Sequence, residues 1–299
     1  MKLRKKYLIF LFFSLINGLI FLFRDHFAYH RFANTTALYS TPGKNWKKFP
    51  KDYPKEELSE ASKIIDSNIH LANLSVQQQV LAIGNFLYNR FAHQIGRPSE
   101  KTIAATPLAD YKLHIANDTL KLWCGNFANM FAYFCWSKGI TCRVIEIMNP
   151  GDHHVFNECY LPESNQWMLV DITFNHLQIT NSAKSGIENF QSLKNVKHDT
   201  LMVFRAGDPS IQKERFDNDF YDRYLKNGPP VYYYYRTNLA EIYKPLEKIK
   251  RYFLPVAWFE EMNSHKKNNL LFYLKEFFIL LWILSVFSLI VNRRKLTTS

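Results

Sequence analysis

Cys124, His154 and Asp171 are the residues of this chain whose types and order suit covalent chemistry. A thiol attacks a carbonyl only as thiolate, so it needs a neighbouring base or a dipole that lowers its pKa. An imidazole takes the thiol proton and later returns it, and a carboxylate holds that imidazole in one orientation. The three lie in Trp123-Cys124-Gly125-Asn126-Phe127-Ala128, His154-Val155-Phe156-Asn157-Glu158 and Trp167-Met168-Leu169-Val170-Asp171. Taken alone, Cys124 reads more simply as a small buried residue at a helix start. The histidine and aspartate that follow favour the nucleophile.

Particular elements must bring these side chains together. From Gly125 to Lys138 the apolar residues Phe127, Ala128, Phe131, Ala132, Phe134 and Cys135 recur at helical spacing. Ser137-Lys138-Gly139 reads as the helix end, with Gly139 in the left-handed C′ position. Cys124 then sits at the helix N-terminus, where unpaired N–H groups favour a thiolate and the oxyanion of an attacked carbonyl. Residues 155–161 and 167–173 alternate as strands around the turn Pro162-Glu163-Ser164-Asn165. A tight turn across Pro162-Glu163 would set Leu161 against Ser164, and the same register sets His154 directly against Asp171. A slip by one residue would separate the two side chains.

Residues 80–175 resemble a transglutaminase-like domain, the bacterial branch of the papain-like thiol fold. Three blocks carry the resemblance. Cys124-Gly125-Asn126-Phe127-Ala128 through Gly139-Ile140-Thr141-Cys142-Arg143-Val144 is similar to the family's cysteine helix and the strand after it. His154-Val155-Phe156-Asn157-Glu158-Cys159-Tyr160-Leu161 is similar to the histidine strand. Trp167, Asp171 and Thr173 are similar to the aspartate strand. The resemblance implies an α+β, papain-like core, with the cysteine helix packed on an antiparallel sheet. It implies Cys124 as nucleophile, His154 as general base and Asp171 as orienter, with a protein or peptide substrate. Ile172 stands where the family usually has proline, and His153 is a rival to His154 that lacks its spacing to Phe156 and Glu158. Tyr88, Asn89 and Gln94 are candidates for the oxyanion-hole side chain, beside the backbone N–H of Cys124. Residues 94–119, which carry Pro98, Pro107 and Asp110, read as a loop-rich approach to the cysteine helix.

Both ends read as membrane spans. Residues 7–23 are an uncharged apolar run, about 26 Å long as a helix, which suffices for a hydrocarbon core. Lys2, Arg4, Lys5 and Lys6 precede it, and the bulky Arg24-Asp25-His26-Phe27 follows. The run reads as an uncleaved signal anchor, with cleavage near Ala28 as the alternative. A second run covers residues 277–291, reaching back to 270 if Lys275 and Glu276 sit at the headgroups, with Arg293, Arg294 and Lys295 behind it. The expected order is tail (1–6), span (7–23), stalk and helical lead-in (24–75), transglutaminase-like domain (76–178), accessory region (179–268), span (270–291) and tail (292–299). The positive-inside rule puts both termini in the cytoplasm and the middle outside the membrane.

The net charge of +12 shrinks on this reading. Eight basic residues and one acid belong to the membrane-flanking segments, which leaves a net +5 between the spans. The basicity therefore serves topology and membrane lipid, and nucleic-acid binding is not implied. Four cysteines without a CxxC pair, and no HExxH, call for no metal and no cofactor. Cys142 and Cys159 would form a disulfide only if their strands are adjacent; otherwise they are two small buried apolar residues. The run Tyr232-Tyr233-Tyr234-Tyr235 and Leu254-Pro255-Val256-Ala257-Trp258-Phe259 suits either a membrane interface or strand packing, and packing is favoured. Two functions follow: a membrane-anchored extracytoplasmic Cys-His-Asp thiol enzyme (a peptidase or amidase, or an acyltransferase), or a non-catalytic module of the same fold that binds or scaffolds.

Overall fold

The computed structural model describes residues 2–23, 27, 31–33, 55–99, 102, 105–149, 152–183, 186–207, 211–216, 231–234, 258–261 and 270–297. Its helices are α1 (Lys2–Leu22), α2 (Lys55–Asn68), α3 (Val76–Phe91), α4 (Pro107–Ala116), α5 (Cys124–Ser137), α6 (Phe190–Leu193) and α7 (Leu270–Thr297). Its strands are β1 (Arg31–Ala33), β2 (Cys142–Asn149), β3 (Asp152–Leu161), β4 (Gln166–Val170), β5 (Gln178–Asn181), β6 (Gly186–Ile187), β7 (Leu201–Arg205), β8 (Gln212–Arg215), β9 (Val231–Tyr234) and β10 (Trp258–Glu261). The chain divides into two units, residues 1–30, 245–257 and 266–299 in one, and residues 31–244 and 258–265 in the other.

The first unit holds α1 and α7, each long and apolar enough to cross a membrane over Arg4–Leu22 and Leu270–Val291. Apolar side chains along them are open, with Leu8, Leu15 and Phe287 each exposing 65% of their surface. The two helices touch through polar and aromatic groups. Asn17 Nδ2 donates to the Phe13 and Phe278 carbonyls at 2.9 and 3.2 Å, and Trp282 Nε1 donates to Ser14 Oγ at 2.9 Å.

The second unit is a mixed α+β fold of the expected kind. Among the described residues its main sheet runs β1-β10-β9-β2-β3-β4, antiparallel except where β1 meets β10. A second antiparallel sheet runs β6-β5-β7-β8. Alternation along the strands feeds two cores. Val144, Cys159, Leu161, Met168 and Val170 face the helical layer of α2, α3, α4 and α5. Ile145, Ile147, Phe156, Trp167 and Leu169 face Ile179, Leu201 and Val203 of the second sheet and Phe190 and Leu193 of α6. The central strands are thus buried on both sides, which makes this sheet a rigid floor for a site at its end.

The cysteine helix α5 is the centre of the helical layer, with Met130, Phe131, Phe134 and Cys135 fully buried. It ends as expected: Gly139 has φ +74°, its N–H reaches the Trp136 carbonyl, and the Ile140 N–H reaches the Cys135 carbonyl, both at 2.9 Å. That is a Schellman motif. A Cβ on Gly139 would meet nothing within 4 Å, so Gly139→Ala isolates backbone strain. It should cost about 1–2 kcal/mol, seen as a lower thermal midpoint with unchanged secondary structure.

Two expectations change. Residues 94–119, expected to be loop-rich, contain α4, with Thr106 as N-cap and Pro107 in its first turn. The lead-in helix α2 also belongs to the core, since Ala61 and Ile65 are fully buried and Asp66 pairs with Lys138 at 2.7 Å. Backbone pairing of β9 with β2 and β10 makes the tyrosine run a sheet strand through Tyr234; Tyr235 and residues 254–257 lie outside the described residues.

Candidate active site

Cys124 is the first residue of α5, half-buried and free. Trp123 at the N-cap makes no side-chain cap bond. The first-turn amides, including that of Cys124, are therefore left without a competing side-chain cap from Trp123. Asn126 braces the turn from within: its Oδ1 accepts from the Trp123 N–H at 3.2 Å and its Nδ2 donates to Asp110 Oδ2 at 2.8 Å. Asp110 Oδ1 lies 3.3 Å from His114 Nε2, and His114 Nδ1 donates to Gln94 Oε1 at 2.6 Å. All four side chains are buried. A polar chain from α4 thus fixes the start of the cysteine helix.

This network was not legible in the sequence, because treating residues 94–119 as loop hid the i,i+4 spacing of Asp110 and His114 on one helix. It also removes Gln94 from the oxyanion candidates, since its Nε2 is spent on the His114 carbonyl at 3.1 Å. Asn89 is exposed and donates to Asn85 and the Gly207 carbonyl. Tyr88 packs against the helical core. None of the three is brought to Cys124 by a contact among the described residues.

His154 lies on β3 and Asp171 one residue past β4. They meet, but not by the expected register. The β3–β4 turn spans all four residues 162–165, with Asn165 at φ +52°, and the ladder pairs Leu161 with Gln166 and Asn157 with Val170. That register places Asp171 two residues from direct opposition to His154. A two-residue displacement keeps both side chains on one face, as a one-residue slip would not. His154 Nε2 donates to Asp171 Oδ2 at 2.6 Å across the diagonal.

The carboxylate is itself held. Asp171 Oδ1 accepts from the Phe174 N–H at 3.2 Å, and Asp171 and His176 exchange backbone hydrogen bonds at 2.7 Å. Asn175, at φ +57°, ties this turn to Ala206 with two hydrogen bonds of 2.9 and 2.6 Å. Ile172, in place of the family's proline, is simply a buried core residue. The imidazole packs between Phe156 and Phe174, with ring centroids 5.9 and 4.8 Å away. The side chain of His153 lies outside the described residues.

Burial alone would strip the proton from His154, but the Asp171 charge and hydrogen bond, with the Cys124 side chain as a further hydrogen-bond partner, raise its pKa to about 9. With Nε2 on Asp171, Nδ1 is the nitrogen left for the sulfur. The folded-state pKa is above the ordinary 6.5, so the charged ring stabilises the fold fully below that pH and loses this contribution as pH rises through about 9. The thermal midpoint of wild type should accordingly exceed that of Asp171→Asn most at pH 6, with the gap narrowing by pH 10.

A second, structural ion pair ties the sequence blocks together. Arg143 on β2 faces Glu158 on β3 in direct register. Arg143 Nε and Nη2 donate to Glu158 Oε2 at 2.9 and 2.5 Å, and Glu158 Oε1 accepts from the Phe190 N–H at 2.7 Å. The guanidinium lies 3.8 Å from the centroid of Trp167 on β4. Asn157 Nδ2 donates to the Ala128 carbonyl at 3.0 Å, which fastens the histidine strand to the cysteine helix.

Residues 74–172 match the family described as the transglutaminase-like superfamily. No curated protein matches the chain. A solved structure from Cytophaga hutchinsonii, described as a candidate cysteine protease, is similar over 42% of this chain, with 22% identity and a TM-score of 0.29. The chain spans 40% of that protein's length. The matched residues run from the start of α3 through the cysteine helix to the aspartate that follows β4, and over them the chain is similar to that superfamily.

Proposed function

We propose that this chain is a membrane-anchored thiol enzyme that attacks an amide or ester carbonyl outside the cytoplasmic membrane. The observation that carries this reading is the buried His154, bonded to Asp171 at 2.6 Å and kept charged to about pH 9 with the Cys124 side chain as its other partner. The Cys124 sulfur adds to the carbonyl carbon, and the oxyanion forms against the Cys124 N–H. Collapse of this adduct breaks the bond to the amine or alcohol, which leaves with the proton from His154. The acyl-enzyme then yields to water, which makes a peptidase or amidase, or to an amine, which makes an acyltransferase. One site geometry serves both. Hydrolysis is the preferred reading, because water is the nucleophile in greatest excess outside the membrane.

The terminal helices α1 and α7 would anchor this domain with both chain ends in the cytoplasm. Alkaline phosphatase fused within residues 34–54 should be active, and fused after residue 299 inactive; the reverse pattern would overturn the topology.

Iodoacetamide at pH 6 tests the site, because an unassisted thiol is only about 0.3% thiolate there. Cys124 should be alkylated selectively over Cys135, Cys142 and Cys159; equal or absent reaction at all four would favour a binding module. A labelled amine offered with a glutamine-containing acceptor separates the chemistries, since only an acyltransferase incorporates it. Turnover should fall as pH rises through about 9, where His154 loses the proton it gives the leaving group. Alkylation, which needs only the sulfur, should not fall with it.

A further inference from the structure

Three cysteines outside the site converge in the helical core. Cys135 comes from the last turn of α5, and Cys142 and Cys159 face one another across β2 and β3. Their sulfurs all lie within 4.8 Å of one another, with Cys135 and Cys159 at 4.0 Å. All three residues are buried, at 0, 2 and 0% exposure. Three sulfurs ringed about 2.3 Å from a shared ion in a trigonal plane would stand about 4.0 Å apart. Among the described residues no fourth cysteine, histidine or carboxylate joins them.

We propose that Cys135, Cys142 and Cys159 form a three-coordinate thiolate site for a soft monovalent cation, with Cu(I) as its ion. The coordination number decides the metal. Structural zinc takes four ligands, whereas Cu(I) is selected by soft sulfur donors and is satisfied by three. The ligands come from a helix end capped by Gly139 and two paired strands braced by Arg143 and Glu158, so they are held before the metal arrives. Each thiol that ligates gives up its proton, so binding releases protons and adds to folding stability. Each Cu–S bond that forms replaces an S–H bond whose proton passes to solvent, and no electron moves.

The site competes with one other outcome. Tyr160 N–H bonds the Thr141 carbonyl at 2.9 Å, so Cys142 and Cys159 form the adjacent non-hydrogen-bonded pair, the closer kind of cross-strand neighbour. A disulfide-bearing oxidant would be reduced to two thiols while joining them, and would destroy the site.

The test uses the full chain in detergent, carrying Cys124→Ser so that the half-exposed thiol takes no metal. It is loaded anaerobically with Cu(I) under reducing conditions and challenged with bathocuproine disulfonate. One Cu(I) per chain should survive the challenge and raise the thermal midpoint. X-ray absorption should show three sulfurs at about 2.3 Å. Cys135→Ala, Cys142→Ala and Cys159→Ala should each weaken retention roughly 100-fold. The absorption spectrum of the parent decides the matter even where a variant fails to fold. Copper stripped as fast from the parent as from the triple alanine variant would overturn the proposal. So would firmer retention of Zn(II), or a Cys142–Cys159 disulfide in protein taken directly from membranes.

Discussion

His154→Ala should slow alkylation of Cys124 at pH 6 on the order of 100-fold, bringing it to the rate of an ordinary thiol. The expected loss is large because the imidazole is the counter-charge inside a site walled by Phe156 and Phe174, where water screens little. The rate, read residue by residue by mass spectrometry, should fall at Cys124 alone. Asp171→Asn should behave differently. An amide oxygen still accepts from Nε2, so the ring keeps its direction, but the charge that raises its pKa is gone. The alkaline limb of turnover should then move down from about 9. A variant His154→Ala that alkylates like wild type would remove the basis for any enzymatic reading.

The second large effect concerns stability. Arg143→Met should destabilise the fold by about 3–5 kcal/mol, because it leaves the Glu158 charge buried without its partner. Both side chains have 0% exposure, so water cannot compensate. The double variant Arg143→Met, Glu158→Leu should recover most of that loss, since replacing a whole buried pair removes both desolvation penalties. Recovery should stop short by about 1–3 kcal/mol, for the Phe190 N–H would lose its acceptor. Denaturant melts of the four chains in a double-mutant cycle measure this. Additive losses would show that the pair acts only through packing.

The local elements were legible where one segment carries its own punctuation. The cysteine helix shows an apolar period, and Gly139 ends it by taking the φ +74° that other residues avoid. Thr106-Pro107 is an equally local helix start, but Pro98, Pro107 and Asp110 were given weight as loop formers instead. The His154–Asp171 meeting was legible in its face but not in its register. Pleat parity is written in the alternation of side chains, whereas turn length is settled by which turn closes best, and Asn165 accepts the left-handed conformation that a four-residue turn needs.

The order of Cys124, His154 and Asp171, the pleat faces and the two apolar terminal helices were determined by the sequence itself, because periodicity and composition act over a few residues. Only the tertiary structure decided that Gln94, His114, Asp110 and Asn126 join into a brace under the cysteine helix. It alone also decided that Cys135, Cys142 and Cys159 meet, although no CxxC spacing announces them. The physical reason is the same in both cases. These contacts are closed by packing a helix onto a sheet, and the distance between residues far apart in the chain is set by that packing rather than by any local pattern.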